Sequence, residues 1–392
     1  MCAITCACNN YEVQISFPLY PYHITASMCS DCLLPVCSEK CQKTDDHSAF
    51  ECSVVKGNLK QSPEIRDRLY DAVTCLRGLI SCRREADKWK TAMDRFNIQL
   101  LSMIGSSDMN REVENVLLNE LKARSYPGLS DISMEEIFKI MGLFQIHSVP
   151  TKLPYGEAFG LYSVASLLSH SCIPNTKLVW DKEKKKVKVT ATEIIQQGAP
   201  ITTIYTDILW GTRARRDHLQ QTRLISCACA RCRDPTELNT YFSALICPKC
   251  PKRNYVLPLN PLSNTTSWSC KACEYQIGSE EVLQQTLSLG ARVSESLQSP
   301  TIKSLEALQL EWLPKFSSNH YHLHAIKHSL LQLYGRSEEK QQEKSENHWE
   351  EIAKKEKACK EFLRVCALLD PALANTVPYV GLTFFEYHKT IL

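Results

Sequence analysis

Glycine is scarce in this chain, 13 of 392 residues, about half the usual share. No two glycines stand one residue apart, which excludes the dinucleotide-binding fingerprint and, with it, a P-loop reading. Long apolar runs are also missing: no stretch approaches the roughly 18 residues that a membrane span needs. Met1 is not followed by the charged, apolar and small-residue succession of a signal peptide. The expectation is an intracellular protein, cytoplasmic and nuclear, with no membrane partner. Charge of one sign is lacking as well, with 46 Lys+Arg against 43 Asp+Glu. The densest basic run, Lys182 to Lys188, is broken by Glu183 and lies between two short apolar stretches, as a solvated hairpin tip would. No phosphate-tracking stripe exists, so direct nucleic-acid binding is not expected.

What the chain has in quantity is cysteine, twenty residues. A small secreted domain would pair them as disulfides, but this chain is large and has no secretory pattern. Cys75, Cys82, Cys359 and Cys366 stand alone on helical patterns, where a free cysteine is a small buried hydrophobe. The others gather at metal-ligand spacing or adjoin such a cluster, and zinc is the expected ligand. The length suits two or three domains, and 44% hydrophobic residues suffice for their cores.

Residues 1–52 are cysteine-rich and aperiodic. From Ser62, helical spacing takes over at Ile65, Leu69, Val73, Leu76 and Ile80, with further helical patterns at about 92–105 and 111–124. After the break at Tyr126-Pro127-Gly128, Ser133 and Glu136 form a capping-box signature. Residues 150–210 carry short strand signals. Lys177–Trp180 and Lys186–Thr190 flank the charged tip Asp181–Lys185 as an antiparallel hairpin, and Ile201–Tyr205 is a third β-rich run. A polar helix is expected over about 212–222. From Ser279 onward the pattern is helical, with breaks at Pro300, Pro314, Gly335 and Pro371, and the polar stretch 337–351 reads as a loop or a solvated helix end. Paired C-terminal helices suggest a short helical-repeat array.

Three cysteine clusters follow. The first is Cys29-x2-Cys32-x4-Cys37-x3-Cys41-x5-His47-x4-Cys52. A two-residue gap lets both thiolates of a knuckle reach one ion in a tetrahedron. Six ligands exceed one zinc and fall short of two; Cys6 and Cys8, with Cys2 nearby, could complete a second site. The next cluster, Cys227-x-Cys229-x2-Cys232, needs a fourth ligand from elsewhere, and Cys172 is the candidate. The third, Cys247-x2-Cys250 with Cys270-x2-Cys273, has the form of a zinc ribbon. Closed four-ligand sites of this kind staple folds and do no chemistry.

The most specific stretch is Leu167-Leu168-Ser169-His170-Ser171-Cys172-Ile173-Pro174-Asn175. Gly198, the run Ile201-Thr202-Thr203-Ile204-Tyr205 and then the Cys227–Cys232 cluster follow it. This order resembles the C-terminal half of a SET domain with its post-SET zinc site, and the first cluster resembles a MYND finger. Together they resemble the SET-and-MYND (SMYD) family of protein-lysine methyltransferases. Tyr205–Thr212 and Cys232–Leu238 are similar to its arthropod-specific SmydA or msta-like branch.

The resemblance implies an α+β chain with five parts. These are a MYND-type zinc finger at 1–52, a helical insert at 53–130 and the C-terminal part of a β-rich SET domain at 131–224. The post-SET zinc site with the zinc ribbon occupies 225–275, and an all-α, TPR-like domain 276–392. It implies that Cys172 joins Cys227, Cys229 and Cys232 on one zinc. Within the finger it implies a complete site of Cys29, Cys32, His47 and Cys52, with Cys37 and Cys41 pairing with upstream cysteines. S-adenosyl-L-methionine is the implied cofactor, held at Ser169, His170 and Tyr205, with His170 acting through its backbone and its imidazole dispensable. Tyr205 is the implied catalytic hydroxyl, aligning a lysine amine, and Asn175 holds a backbone crossing.

Three positions depart from the family pattern. The chain lacks the Gly-x-Gly strand that precedes the finger in the family, Ser169 replaces an asparagine, and Arg223 and Ile225 stand where an aromatic pair lines the lysine channel. Weak cofactor binding and slow methylation are therefore expected. Two functions remain open: a methyltransferase acting on histone or other protein lysines, or a weakly active or inert zinc-bearing scaffold in transcriptional regulation. The scaffold would bind partner peptides, Pro-rich ones among them, through the finger. A monomer is expected. His320, His322 and His324 alternate at a helix start and are not expected to bind metal.

Overall fold

A computed structural model of the chain describes residues 27–32, 35–36, 39–43, 47–48, 52, 78–79, 82, 133–153, 156–162, 164–181, 186–336 and 346–391. The helical patterns at 92–105 and 111–124, together with Cys2, Cys6, Cys8, Cys37 and the side chain of Cys41, lie outside the described residues. The chain divides into two compact units, Met1–Leu168 with Leu178–Val189, and Ser169–Lys177 with Thr190–Leu392.

In the first unit, β1 (Ser27–Met28) and β2 (Pro35–Val36) pair antiparallel, Ser27 opposite Val36, and α1 (Glu39–Gln42) follows. The main helix, α2 (Met134–His147), starts where the capping box places it. The Ser133 amide donates to Glu136 Oε2 at 3.0 Å, and the Glu136 amide donates to Ser133 Oγ at 3.2 Å. Ile137, Ile140, Leu143 and Phe144 recur at three- and four-residue spacing and are buried, the single apolar stripe of a packed helix. Gly78 lies against this stripe: a Cβ there would fall 2.6 Å from Ile140 Cγ2. Strands β3 (Val149–Leu153) and β4 (Gly156–Gly160) form an antiparallel hairpin, Val149 opposite Gly160. A single 3₁₀ turn, Ala165–Leu167, leads out of it.

β5 (Ser169–His170) opens the second unit, whereas β6 (Thr176–Asp181) and β7 (Lys186–Ala191), which pair as the expected hairpin, belong from Leu178 to Val189 to the first. Leu178, Trp180, Val187 and Val189 pack on Val149, Tyr162 and Ala165. Their alternation with the exposed Val179 and Lys188 puts one face in the core and the other toward solvent. Of the β-rich run Ile201–Tyr205, only β8 (Thr202–Thr203) is strand, parallel to β5 in the register Ser169–Thr202 and His170–Thr203. Ile201 is exposed and the Tyr205 amide bonds a side chain instead of a neighbouring strand.

Helices α3 (Thr212–Arg223) and α4 (Ala230–Arg233) come next. A four-stranded antiparallel sheet follows, built from β9 (Leu245–Ile246), β10 (Tyr255–Pro258), β11 (Trp268–Cys270) and β12 (Gln276–Ile277). Among the described residues five helices follow: α5 (Ser279–Ser296), α6 (Ile302–Trp312), α7 (Tyr321–Leu333), α8 (Glu346–Leu369) and α9 (Val377–His388). They stop at the expected proline and glycine breaks. Glu346–Glu351 of the polar stretch belongs to the start of α8, and 337–345 lies outside the described residues. α7 packs against α5, α6, α8 and α9. Leu289, Leu305, Phe316, Leu323 and Ile326 form one core with the sheet residues Leu245 and Val256. Among the described residues no helix is long and apolar enough to cross a membrane.

Candidate metal centres and the Tyr205 site

Each of three groups brings four ligand atoms within 4.8 Å of one another: Cys29, Cys32, His47 and Cys52; Cys172, Cys227, Cys229 and Cys232; Cys247, Cys250, Cys270 and Cys273. Four thiolates about 2.3 Å from a central zinc stand about 3.8 Å apart. The sulfurs of Cys172 and Cys232 are 3.6 Å apart, those of Cys172 and Cys227 4.0 Å, Cys247 and Cys273 3.5 Å, Cys250 and Cys270 3.7 Å, and Cys29 and Cys52 3.9 Å. His47 Nε2 lies 3.6 Å from Cys32 Sγ. These separations are far too long for disulfides and match the edges of a zinc tetrahedron, so the donor sets fit the metal.

The local chain explains why Cys172 reaches its partners. β5 pairs with β8, and the Ser171 amide donates to Thr203 O at 2.9 Å. Ser171 Oγ then bonds both the carbonyl and the amide of Ile173, a tight turn that drives Cys172 inward until it is wholly buried. Asn175 fixes the exit. Its Oδ1 accepts from the Thr202 amide at 2.7 Å and its Nδ2 donates to Pro200 O at 2.9 Å. These are the backbone bonds expected of it. Hydrogen bonds from Cys227, Cys229 and Cys232 pull the Cys172 thiol far down against its burial, while bonds to the other three sulfurs and burial together push Cys232 far up: the cluster favours a thiolate at Cys172.

His170 Nδ1 accepts from the Tyr205 amide at 3.1 Å, which leaves the proton on Nε2, 3.3 Å from Cys172 Sγ. The imidazole thus links Tyr205 to the cysteine cluster. The Tyr205 ring lies 5.6 Å from the His170 ring, and the Arg223 guanidinium stands over it at 5.0 Å. Burial raises the Tyr205 phenol, with Arg223 acting against the rise, so the hydroxyl keeps its proton at neutral pH. Ser169 is exposed, and its hydroxyl has no hydrogen-bond partner among the described residues.

Sequence reasoning missed a buried charge network beside this cluster. Arg215 and Arg231 are wholly buried, and both donate to Glu237 Oε2, at 2.9 and 3.1 Å. Burial disfavours all three charges, but their mutual attraction keeps Glu237 low and Arg215 high, while Arg231 falls to about 10. Glu237, Leu238, Asn239 and Tyr241 all have φ between 49° and 60°, a strained left-handed course for side-chain-bearing residues. Asp234 holds it by accepting from the Thr236 and Leu238 amides at 2.8 and 2.7 Å. A signal was available: α3 has one apolar residue, Leu219, on a buried face otherwise made of Thr212, Arg215 and Arg223. A second feature, a cavity of about 650 Å³, lies among α3, the β10–β11 sheet, α5 and the start of α7, lined in part by Trp210, Trp268, Leu287 and His322.

No protein-family model matches the chain. Curated relatives do: two isoforms of the Drosophila melanogaster SET domain-containing protein SmydA-8 are 29% and 30% identical over 252 and 258 residues, 62% and 64% of this chain and 51% and 54% of theirs. Mouse histone-lysine N-methyltransferase SMYD3 is 28% identical over 52% of this chain and 48% of its own. Human protein-lysine N-trimethyltransferase SMYD5 is 27% identical over 33% and 30%. These likenesses support reading the chain as an SMYD-family member of the SmydA type. It spans about half the length of the SmydA-8 isoforms it matches. Its mixed helix–strand architecture, cysteine clusters and helical C-terminal region agree with that SMYD assignment.

Proposed function

We propose that this SmydA-type chain is a SET-domain protein that transfers a methyl group from S-adenosyl-L-methionine to the side-chain amine of a protein lysine. The arrangement that carries the reading is Tyr205 at the end of the β5–β8 pair, tied to the Cys172 cluster by His170. On this reading 1–52 is a MYND-type finger, 53–130 an insert, 131–224 SET core, 225–275 the post-SET site with a zinc ribbon, and 276–392 a TPR-like helical domain. Zinc, held by the three four-ligand groups, serves the fold. The exposed Ser169 hydroxyl and the backbone of His170 are the groups that would hold the cofactor, which supplies the methyl when bound. The Tyr205 hydroxyl, kept protonated, orients the incoming amine. Transfer needs that amine neutral and aligned, and a dry, half-buried tyrosine edge favours the uncharged form of a lysine.

Two observations favour a second reading, a weakly active scaffold. Arg223 places a cation on the Tyr205 ring, where an approaching lysine meets like charge. The 650 Å³ cavity offers an aromatic-lined site for a partner peptide away from Tyr205. Titration calorimetry with S-adenosylhomocysteine, with methyl transfer to a histone mixture followed in parallel, separates the two. The enzyme reading expects binding, and a loss of transfer of at least about tenfold in Tyr205→Phe with binding retained. No transfer by the wild type, or transfer indifferent to Tyr205→Phe, would leave the scaffold.

A further inference from the structure

We infer that Arg215 and His170 form an outer layer of donors around the Cys172 cluster, and that this layer positions the loop carrying Tyr205. The inference rests on the reading of that cluster as a zinc centre.

Arg215 spends every N–H it has. Nε donates to Cys172 Sγ at 3.2 Å, and Nη2 to Thr212 Oγ1 at 3.0 Å and to Cys232 Sγ at 3.8 Å. Nη1 donates to Glu237 Oε2 at 2.9 Å and to Trp210 O. A guanidinium presents five N–H groups in a rigid fork, and all five are directed at fixed partners. Cys172 Sγ in turn faces two donors, Arg215 Nε and His170 Nε2.

From this one sulfur, two paths lead to the same loop. One runs through His170 to the Tyr205 amide. The other runs through Arg215 to Trp210 O, where Arg231 joins it at 3.1 Å while also donating to Ile208 O at 2.7 Å. The segment from Tyr205 to Trp210 is thus fastened at both ends to groups that touch the cluster.

Charge explains why these partners belong together. Two guanidiniums against one carboxylate leave a buried positive excess, which is costly alone. Zinc with four thiolates is a doubly negative centre, and donors to its sulfurs lower their basicity and hold the metal. Metal and arginines therefore stabilise each other, and loss of either one should loosen the Tyr205 loop.

The test follows zinc release to a chelator by native mass spectrometry, together with amide exchange. The release phase that belongs to this cluster is the one missing from Cys172→Ser. Arg215→Lys keeps the charge but loses the fork; it should speed that phase at least fivefold and raise amide exchange over 205–210. His170→Phe keeps a ring of similar size but removes both its bonds; it should speed the same phase and raise exchange at Tyr205 at least tenfold. Since His170 is half-exposed, it carries the test if Arg215→Lys does not fold. Arg292→Ala, which removes an exposed pair with Glu311, should change neither. Zinc present but released, and Tyr205 exchanging, within twofold of wild type in His170→Phe would overturn the inference alone. A wild-type chain without zinc in this phase would overturn the metal reading and the inference with it.

Discussion

His324 shows how much a single residue can depend on its surroundings. Its ring is buried and stacked 4.2 Å from Phe362, and neither ring nitrogen has a hydrogen-bond partner among the described residues. Burial drives its pKa well below the usual value, helped by Lys327 and His328, while burial alone brings neighbouring His322 to about 4. The folded state therefore refuses a proton that the unfolded chain accepts below about pH 6.5. Stability is complete above that value and falls as pH drops through it, by about 1.4 kcal/mol per such imidazole at pH 5.5. His324→Phe should remove one imidazole's share. Its melting temperature should drop less than the wild type's between pH 7.5 and 5.5, and equal drops would contradict the account. Arg215 illustrates the reverse case, a buried charge kept ionised by Glu237 and by the sulfurs it faces.

At the scale of the element, the last helices are joined by ions as well as by apolar packing. Glu386 on α9 is buried and meets Lys355 of α8 at 2.5 Å, Arg336 at 3.2 Å and Lys389 at 3.6 Å. Lys355 also donates to Tyr334 O, just past the end of α7, at 3.1 Å. One carboxylate thus ties the middle of α8 to the ends of α7 and α9. Although burial opposes its charge, Lys355 and Arg336 hold the Glu386 carboxyl below its ordinary value. Its contribution is present above about pH 4.3 and is lost as pH falls further. Glu386→Gln leaves Lys355 buried without its counter-charge and should cost about 3 kcal/mol in urea unfolding at pH 7. The difference between variant and wild type should shrink at pH 3.5. A constant difference across that range would show that the ion pair is not its source.

Across the second unit, cysteine cluster and core are one structure. The sheet β9–β12 has strands of two, four, three and two residues, too short to stand without support. Cys247 and Cys270 are buried with Val256, Leu289 and Phe316 in one cluster, so the cysteine centre is the sheet's fastening and the helices are its floor. Cys250→Ser opens that centre. It should lower the melting temperature by several degrees and raise amide exchange at Val256, Leu257 and Ser269 more than in α8 or α9. Uniform loosening of both regions would argue that the sheet is held by the helical core alone.

The metal-ligand groups were legible in the residues because their spacing is local: a two-residue gap is a knuckle wherever the chain goes. The capping box at Ser133, the pairing of β6 with β7 and the helix breaks at Pro300, Pro314, Gly335 and Pro371 were legible for the same reason, each being set by neighbours in sequence. The partnership of Cys172 with a cluster fifty-five residues away is legible because three cysteines want a fourth and because the family resemblance implies the same ligand. The β8 run was overestimated, because β propensity does not reveal that the Tyr205 amide finds His170. The Arg215–Glu237–Arg231 network was invisible for a deeper reason. A charged residue in sequence signals solvent, and its burial becomes tolerable only when separate segments bring an opposite charge and metal-ligand sulfurs to the same place. Spacing determined where a metal can bind, and tertiary structure alone decided which buried charges surround it, since that balance is struck across the chain and not along it.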